Sequence, residues 1–184
     1  MLILLQAVSN VDKGYLSYAN SNANSDREDI INQLERVFAY ELYHQWSLLK
    51  DDNLVLNGEI GKIVNDKEWY PDLVLHGGQD DKYNNKVVVE IKRECMVQSK
   101  KGAIIDDLKK LSKFLENEER DENCSKFRNY ENAVFLLLKG ELCAISNALS
   151  DKELMSGVEL NDNILCVTYN EKKEIRISRL SQLK

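Results

Sequence analysis

Residues 69–92 run Trp69-Tyr70-Pro71-Asp72-Leu73-Val74-Leu75, then a polar stretch from His76 to Lys86, then Val87-Val88-Val89-Glu90-Ile91-Lys92. Two strand-forming runs joined by a polar loop containing Gly77-Gly78 read as a hairpin with a long connection. Side chains alternate across a strand, so Val87, Val89 and Ile91 share one face while Val88, Glu90 and Lys92 share the other. In the partner strand Leu73 and Leu75 share a face, and Asp72 lies with Val74. If the apolar faces coincide, Asp72, Glu90 and Lys92 converge. Such a grouping is costly without a purpose, because the carboxylates repel and one ammonium does not fully relieve them.

A divalent cation would relieve them. Mg²⁺ takes oxygen ligands, typically one or two carboxylates completed by water and phosphate. Asp72 and Glu90 can supply two ligands, and the backbone carbonyl of Ile91 a third. A metal held there polarises a phosphate and makes its bound water more acidic. Lys92 would then orient that water, help deprotonate it, or neutralise charge developing on the phosphate.

Outward from this hairpin, Ile30, Leu34, Val37, Phe38, Leu42, Leu48 and Leu49 recur at helical spacing, which predicts a helix from Ile30 to about Leu49. Asn53 to Ile60 reads as a strand. The stripe Ile104, Leu108, Leu111 and Leu115 predicts a helix over Lys101 to Glu118. Ala133 to Leu138 is a continuous apolar run suited to a central buried strand. A short helix over Glu141 to Leu149 and a last hairpin, Asn163 to Tyr169 with Glu174 to Leu180, complete the order. Residues 9–29 are rich in Asn and Ser and read as a loop or arm. The expected division is an N-terminal arm over 1–25 and one domain over 26–184.

Pro71-Asp72, followed after seventeen residues by Glu90-Ile91-Lys92, resembles the signature of the PD-(D/E)XK nucleases, also called restriction endonuclease-like. The helix before it and the helix and strand after it resemble that family's αβββαβ core, over roughly Asp26 to Leu138. The resemblance implies an α/β fold with a mixed central sheet flanked by helices. It implies metal-dependent hydrolysis of nucleic-acid phosphodiester bonds, DNA foremost, with Mg²⁺ or Mn²⁺ as cofactor. It assigns Asp72 and Glu90 as acidic ligands and Lys92 as the catalytic lysine. Members often work as dimers or in larger assemblies, so a homodimer is compatible with it. A noncatalytic relative that binds nucleic acid or a protein partner is the alternative.

The family often adds a glutamate from its first helix. Glu41 falls within the apolar stripe as drawn through Val37, Leu34 and Leu48, and is preferred to Glu35 at its edge; Glu59 comes third. From Lys92 to Lys113, seven basic residues stand against Glu94, Asp106 and Asp107, a local basic field in a chain of net charge −6. Gln98 and Lys101 lie nearest the signature and are the expected substrate contacts. An ordinary solvated helix face is the competing reading for the lysines beyond 101.

Other function classes find little support. Four dispersed cysteines with no CxxC pair argue against zinc and for a reducing, cytoplasmic setting. His44 and His76 are the only histidines and form no pattern together. Met1 to Val8 is apolar but short and lacks a basic lead, so neither a signal peptide nor a membrane partner is expected. Gly77-Gly78 reads as a turn, since no phosphate-loop pattern accompanies it.

Overall fold

A computed structural model describes residues 1–17, 28–59, 61–64, 67–78, 84–93, 101–116, 129–170 and 172–184. Its centre is a mixed six-stranded sheet in the order β1 (Val55–Gly58), β4 (Leu73–His76), β5 (Asn85–Arg93), β6 (Asn132–Leu138), β7 (Leu165–Tyr169) and β8 (Ile175–Arg179). β5, β6 and β7 run parallel, and the flanking pairs are antiparallel. A separate small hairpin joins β2 (Lys62–Val64) to β3 (Lys67–Trp69). The helices are α1 (Leu2–Asn10), α2 (Gly14–Ser17), α3 (Glu28–Leu49), α4 (Lys101–Leu115) and α5 (Leu142–Leu149), with a closing 3-10 turn at Leu180–Gln182. The expected α/β class, with a mixed sheet between helices, is the one observed.

Both faces of the sheet are covered, which explains the apolar run in β6: its side chains are buried whichever way they point. Val87, Val89 and Ile91 of β5, with Leu73 and Leu75 of β4, pack against Phe38, Leu42 and Trp46 of α3. Val88 and Val74 pack on the opposite face, with Ile104, Leu108 and Leu111 of α4. The side-chain parity expected for β4 and β5 therefore holds, and it turns Glu90 and Lys92 toward α4.

The structure corrects two expectations and adds one element. The run from Trp69 to Leu75 is not one strand: β3 ends at Trp69, and β4 begins only at Leu73. Pro71 lies in the gap, with its φ fixed and no N–H to give a ladder. The hairpin of β2 and β3 was not foreseen. Finally, residues 2–17 are not an arm. Leu4, Ala7, Val8 and Val11 of the first segment are buried with Leu16 against α3 and the sheet, and the Tyr169 hydroxyl donates to the Val11 carbonyl at 3.0 Å. Their spacing of three, one and three is a helical face. Residues 18–27 lie outside the described residues. No helix among the described residues is long and apolar enough to cross a membrane.

Candidate active site

The break at Pro71 creates the site. β4 pairs Leu73 with Val89, so one further step would set residue 72 opposite Glu90, where the ladder has already stopped. The Asp72 side chain takes over part of its role: Oδ2 accepts the N–H of Ile91 at 2.6 Å. The Asp72 carbonyl meanwhile accepts the N–H of Glu59 at 3.1 Å, which ties it to the end of β1. Asp72 is thus held through both its backbone and its side chain. The carbonyl of Ile91 leaves the strand on the same edge as its N–H, toward Asp72.

Glu90 and Lys92 meet two residues of α4. Lys110 Nζ lies 2.6 Å from Glu90 Oε1, and Lys92 Nζ lies 3.3 Å from Asp107 Oδ2. The Lys110 ammonium thus pairs closely with Glu90, and it also donates to the Tyr70 carbonyl at 2.8 Å. From α3, Glu35 closes the group. Its Oε1 accepts the Arg93 N–H at 2.8 Å, and its Oε2 lies 3.9 Å from Lys92 Nζ.

Four carboxylates, of Glu35, Asp72, Glu90 and Asp107, therefore surround two ammonium groups, of Lys92 and Lys110. The acids feel the imbalance. Burial raises Glu90 well above the ordinary value, and Asp72 adds to the rise; the Lys110 charge opposes it only in part. Burial also raises Asp72, against the Ile91 N–H and the two lysines. Glu35 rises to about 7, chiefly through burial, with Lys92 and the Arg93 N–H pulling the other way. For Lys92, burial lowers the value, but Asp107, Glu35 and Asp72 outweigh it, so the ammonium is held more firmly than usual.

Asp72, Glu90 and Lys92 are thus brought together, with the Ile91 backbone between them. Glu41 is not. It accepts the Gln45 amide at 2.7 Å and neighbours the Tyr15 phenol. The cause lies in the stripe chosen to orient the helix. Val37 and Leu48 are exposed, while Phe38, Leu42 and Trp46 are the buried set. At about 100° per residue, Glu35 falls inside the arc of that set and Glu41 about 100° from its middle.

Lys101 pairs with Asp151 at 3.5 Å, and by the same wheel lies about 180° around α4 from Lys110. Gln98 lies outside the described residues. The basic field is largely spent internally: Lys109 pairs with Asp106, Lys113 with Glu116, and Lys110 with Glu90. Sequence reasoning missed Asp107 and Lys110 as site residues. Asp107 carried a signal, since it stands three residues after Ile104 and four before Leu111, within the buried stripe of α4.

His76 has a local role. Its Nδ1 accepts the Gly78 N–H at 3.0 Å, and its Nε2 lies 2.6 Å from Asn57 Oδ1. Gly78 adopts φ +87°, which favours glycine and fits the expected turn.

The donor set suits a hard divalent cation. Asp72, Glu90 and the Ile91 carbonyl are all oxygen donors, and the buried Glu90 carboxyl has the Lys110 ammonium as its neighbouring cation. Among the described residues no group of three or more His, Cys, Asp and Glu side chains stands ready-made to hold a metal, so the fit rests on two carboxylates and a backbone oxygen. Compared with protein-family models, curated proteins and solved structures, the chain finds no match.

Proposed function

We propose that this chain hydrolyses phosphodiester bonds in nucleic acid, DNA foremost, with Mg²⁺ or Mn²⁺, on a core of the restriction endonuclease type. The observation that carries the reading is the cluster where β4 stops beside β5, in which the four carboxyls of Glu35, Asp72, Glu90 and Asp107 share the two ammonium groups of Lys92 and Lys110. A purely structural cluster gains nothing from burying more carboxyls than ammonium groups, which costs stability whether they stay charged or are driven to take up protons. A site for a divalent cation and a phosphate does gain from it.

Asp72, Glu90 and the Ile91 carbonyl would hold the ion. When bound it supplies Lewis-acid polarisation of the phosphate and a more acidic water. Lys92 has a firmly held proton, which suits it to donate hydrogen bonds and offset charge on the phosphate rather than to act as a base. Glu35, with its carboxyl raised to about 7 and its Oε2 near Lys92, is the group suited to take a proton from water near neutral pH.

One contact favours the noncatalytic alternative: Lys110 already places a cation on Glu90. The two readings separate in a cleavage assay on DNA and RNA with Mg²⁺, Mn²⁺ or EDTA. Hydrolysis that needs the metal and disappears in both Asp72→Asn and Lys92→Ala supports the enzyme. The expected loss for Asp72→Asn exceeds the roughly 10–100-fold typical of removing an outer partner of a ligand. A pure wild-type chain inert on every substrate would favour the binding module.

A further inference from the structure

A cleft of about 640 Å³ opens beside the carboxylates, with Glu35 and Asp72 in its wall and Tyr40, Tyr43, Ala39 and Gly58 among its other lining residues. That volume lies within the roughly 300–1,000 Å³ usual for ligand sites. Its character changes away from the acids. Tyr40 and Tyr43 stand three apart on α3 and so project from one side of the helix. They are 64% and 38% exposed, although both are large aromatic side chains. The Tyr43 hydroxyl donates to the Leu56 carbonyl at 3.1 Å, which fixes that ring against β1. Ala39 and Gly58 leave the space open. Arg36 lies on the same cleft, and its partner is Glu59 at 3.0 Å in a pair exposed on both sides. Such pairs are weak, so a phosphate can compete for the guanidinium.

We propose that this cleft receives an unstacked nucleobase of a single-stranded segment, with Tyr40 and Tyr43 as the stacking surface and Arg36 on the flanking phosphate. The position of the base relative to the reacting phosphate rests on the hydrolytic reading above, because Asp72 belongs to both the cleft and the cation site. A base inside a duplex has its faces covered by its neighbours. A base in a single strand offers an open face, and any of the four can stack on a tyrosine. The neutral ring also suits a cleft whose acidic wall would repel a phosphate that no cation bridges.

The test uses the full-length chain carrying Lys92→Ala, to prevent turnover, and fluorescence anisotropy with a short labelled oligonucleotide. The oligonucleotide is supplied as single-stranded DNA, as single-stranded RNA and as the matching duplex, with Mn²⁺ and with EDTA. A single strand should bind more tightly than the duplex. Tyr40→Ala should weaken single-strand binding by about tenfold, within the range for loss of one stacked base. Tyr40→Phe should retain it, and duplex binding should not change. Equal or tighter duplex binding, no effect of Tyr40→Ala, or an equal loss in Tyr40→Phe would overturn the proposal. Because Tyr40 is exposed, these variants do not threaten the core. Metal-dependent cleavage with a silent Tyr40→Ala would remove the base site and leave the hydrolytic reading. Tyr40-dependent binding with no cleavage by wild type would do the reverse.

Discussion

Glu35 lies on the arc of α3 that otherwise buries Phe38, Leu42 and Trp46, and this position raises its carboxyl from the ordinary 4.5 to about 7. A carboxyl whose folded value lies above its unfolded one favours folding when protonated. Its contribution is fully present below about 4.5 and is lost as pH climbs through about 7. The metal-free chain should therefore lose stability between pH 5 and 8, by on the order of 2–3 kcal/mol from this group. Asp72 and Glu90 shift in the same direction. Urea unfolding in EDTA measures the slope, and Glu35→Gln should make it shallower; an unchanged slope would contradict the assignment. The convergence of Asp72, Glu90 and Lys92 was legible because strand parity is a rule of two. Glu35 was harder to choose over Glu41, because a helical wheel is only as good as its apolar anchors. Val37 and Leu48 were poor anchors, being exposed. Asp107 and Lys110 were hidden by their numerous charged neighbours on α4, which look like an ordinary solvated face until the fold turns two of them inward.

Among the elements, α1 departs furthest from expectation and carries a direct consequence. Leu4 is 2% exposed while Leu2, on the same helix, is 82% exposed. Leu4→Ala should cost about 2–5 kcal/mol, as for a large-to-small change in a packed core. Leu2→Ala should stay within about 0.5 kcal/mol of wild type. Paired denaturant titrations test this, and equal effects would mean that α1 does not dock. The helix was readable from Leu4, Ala7, Val8 and Val11, but nine residues fall below the length at which an isolated helix is stable, so only packing can hold it. The division of Trp69–Leu75 into two strands follows from Pro71, whose effect on the ladder outweighed the apolar pattern around it. That same break frees the Ile91 edge, so the element least well read as a strand is the one that forms the site.

For the whole molecule, a net charge of −6 and a lysine-rich helix paired with its own acids leave few cations for a phosphate backbone. Nucleic-acid binding should therefore respond weakly to salt. With about two phosphate contacts, log K against log salt for a single strand should have a slope shallower than about −2. Anisotropy titrations across a salt series measure it, and a slope of about −5 or steeper would require a broad basic footprint that the described residues lack. On the proposed reading, specificity would then come from the cleft and the cation site rather than from bulk attraction. The cation site is the central claim, and isothermal calorimetry of Mn²⁺ binding tests it most directly. Wild type should bind the ion saturably, more tightly as pH rises because ligation needs the ionised form that burial disfavours in Asp72 and Glu90, and Asp72→Asn should abolish the signal. Absence of binding by folded wild-type chain, or equal binding by Asp72→Asn, would contradict the account.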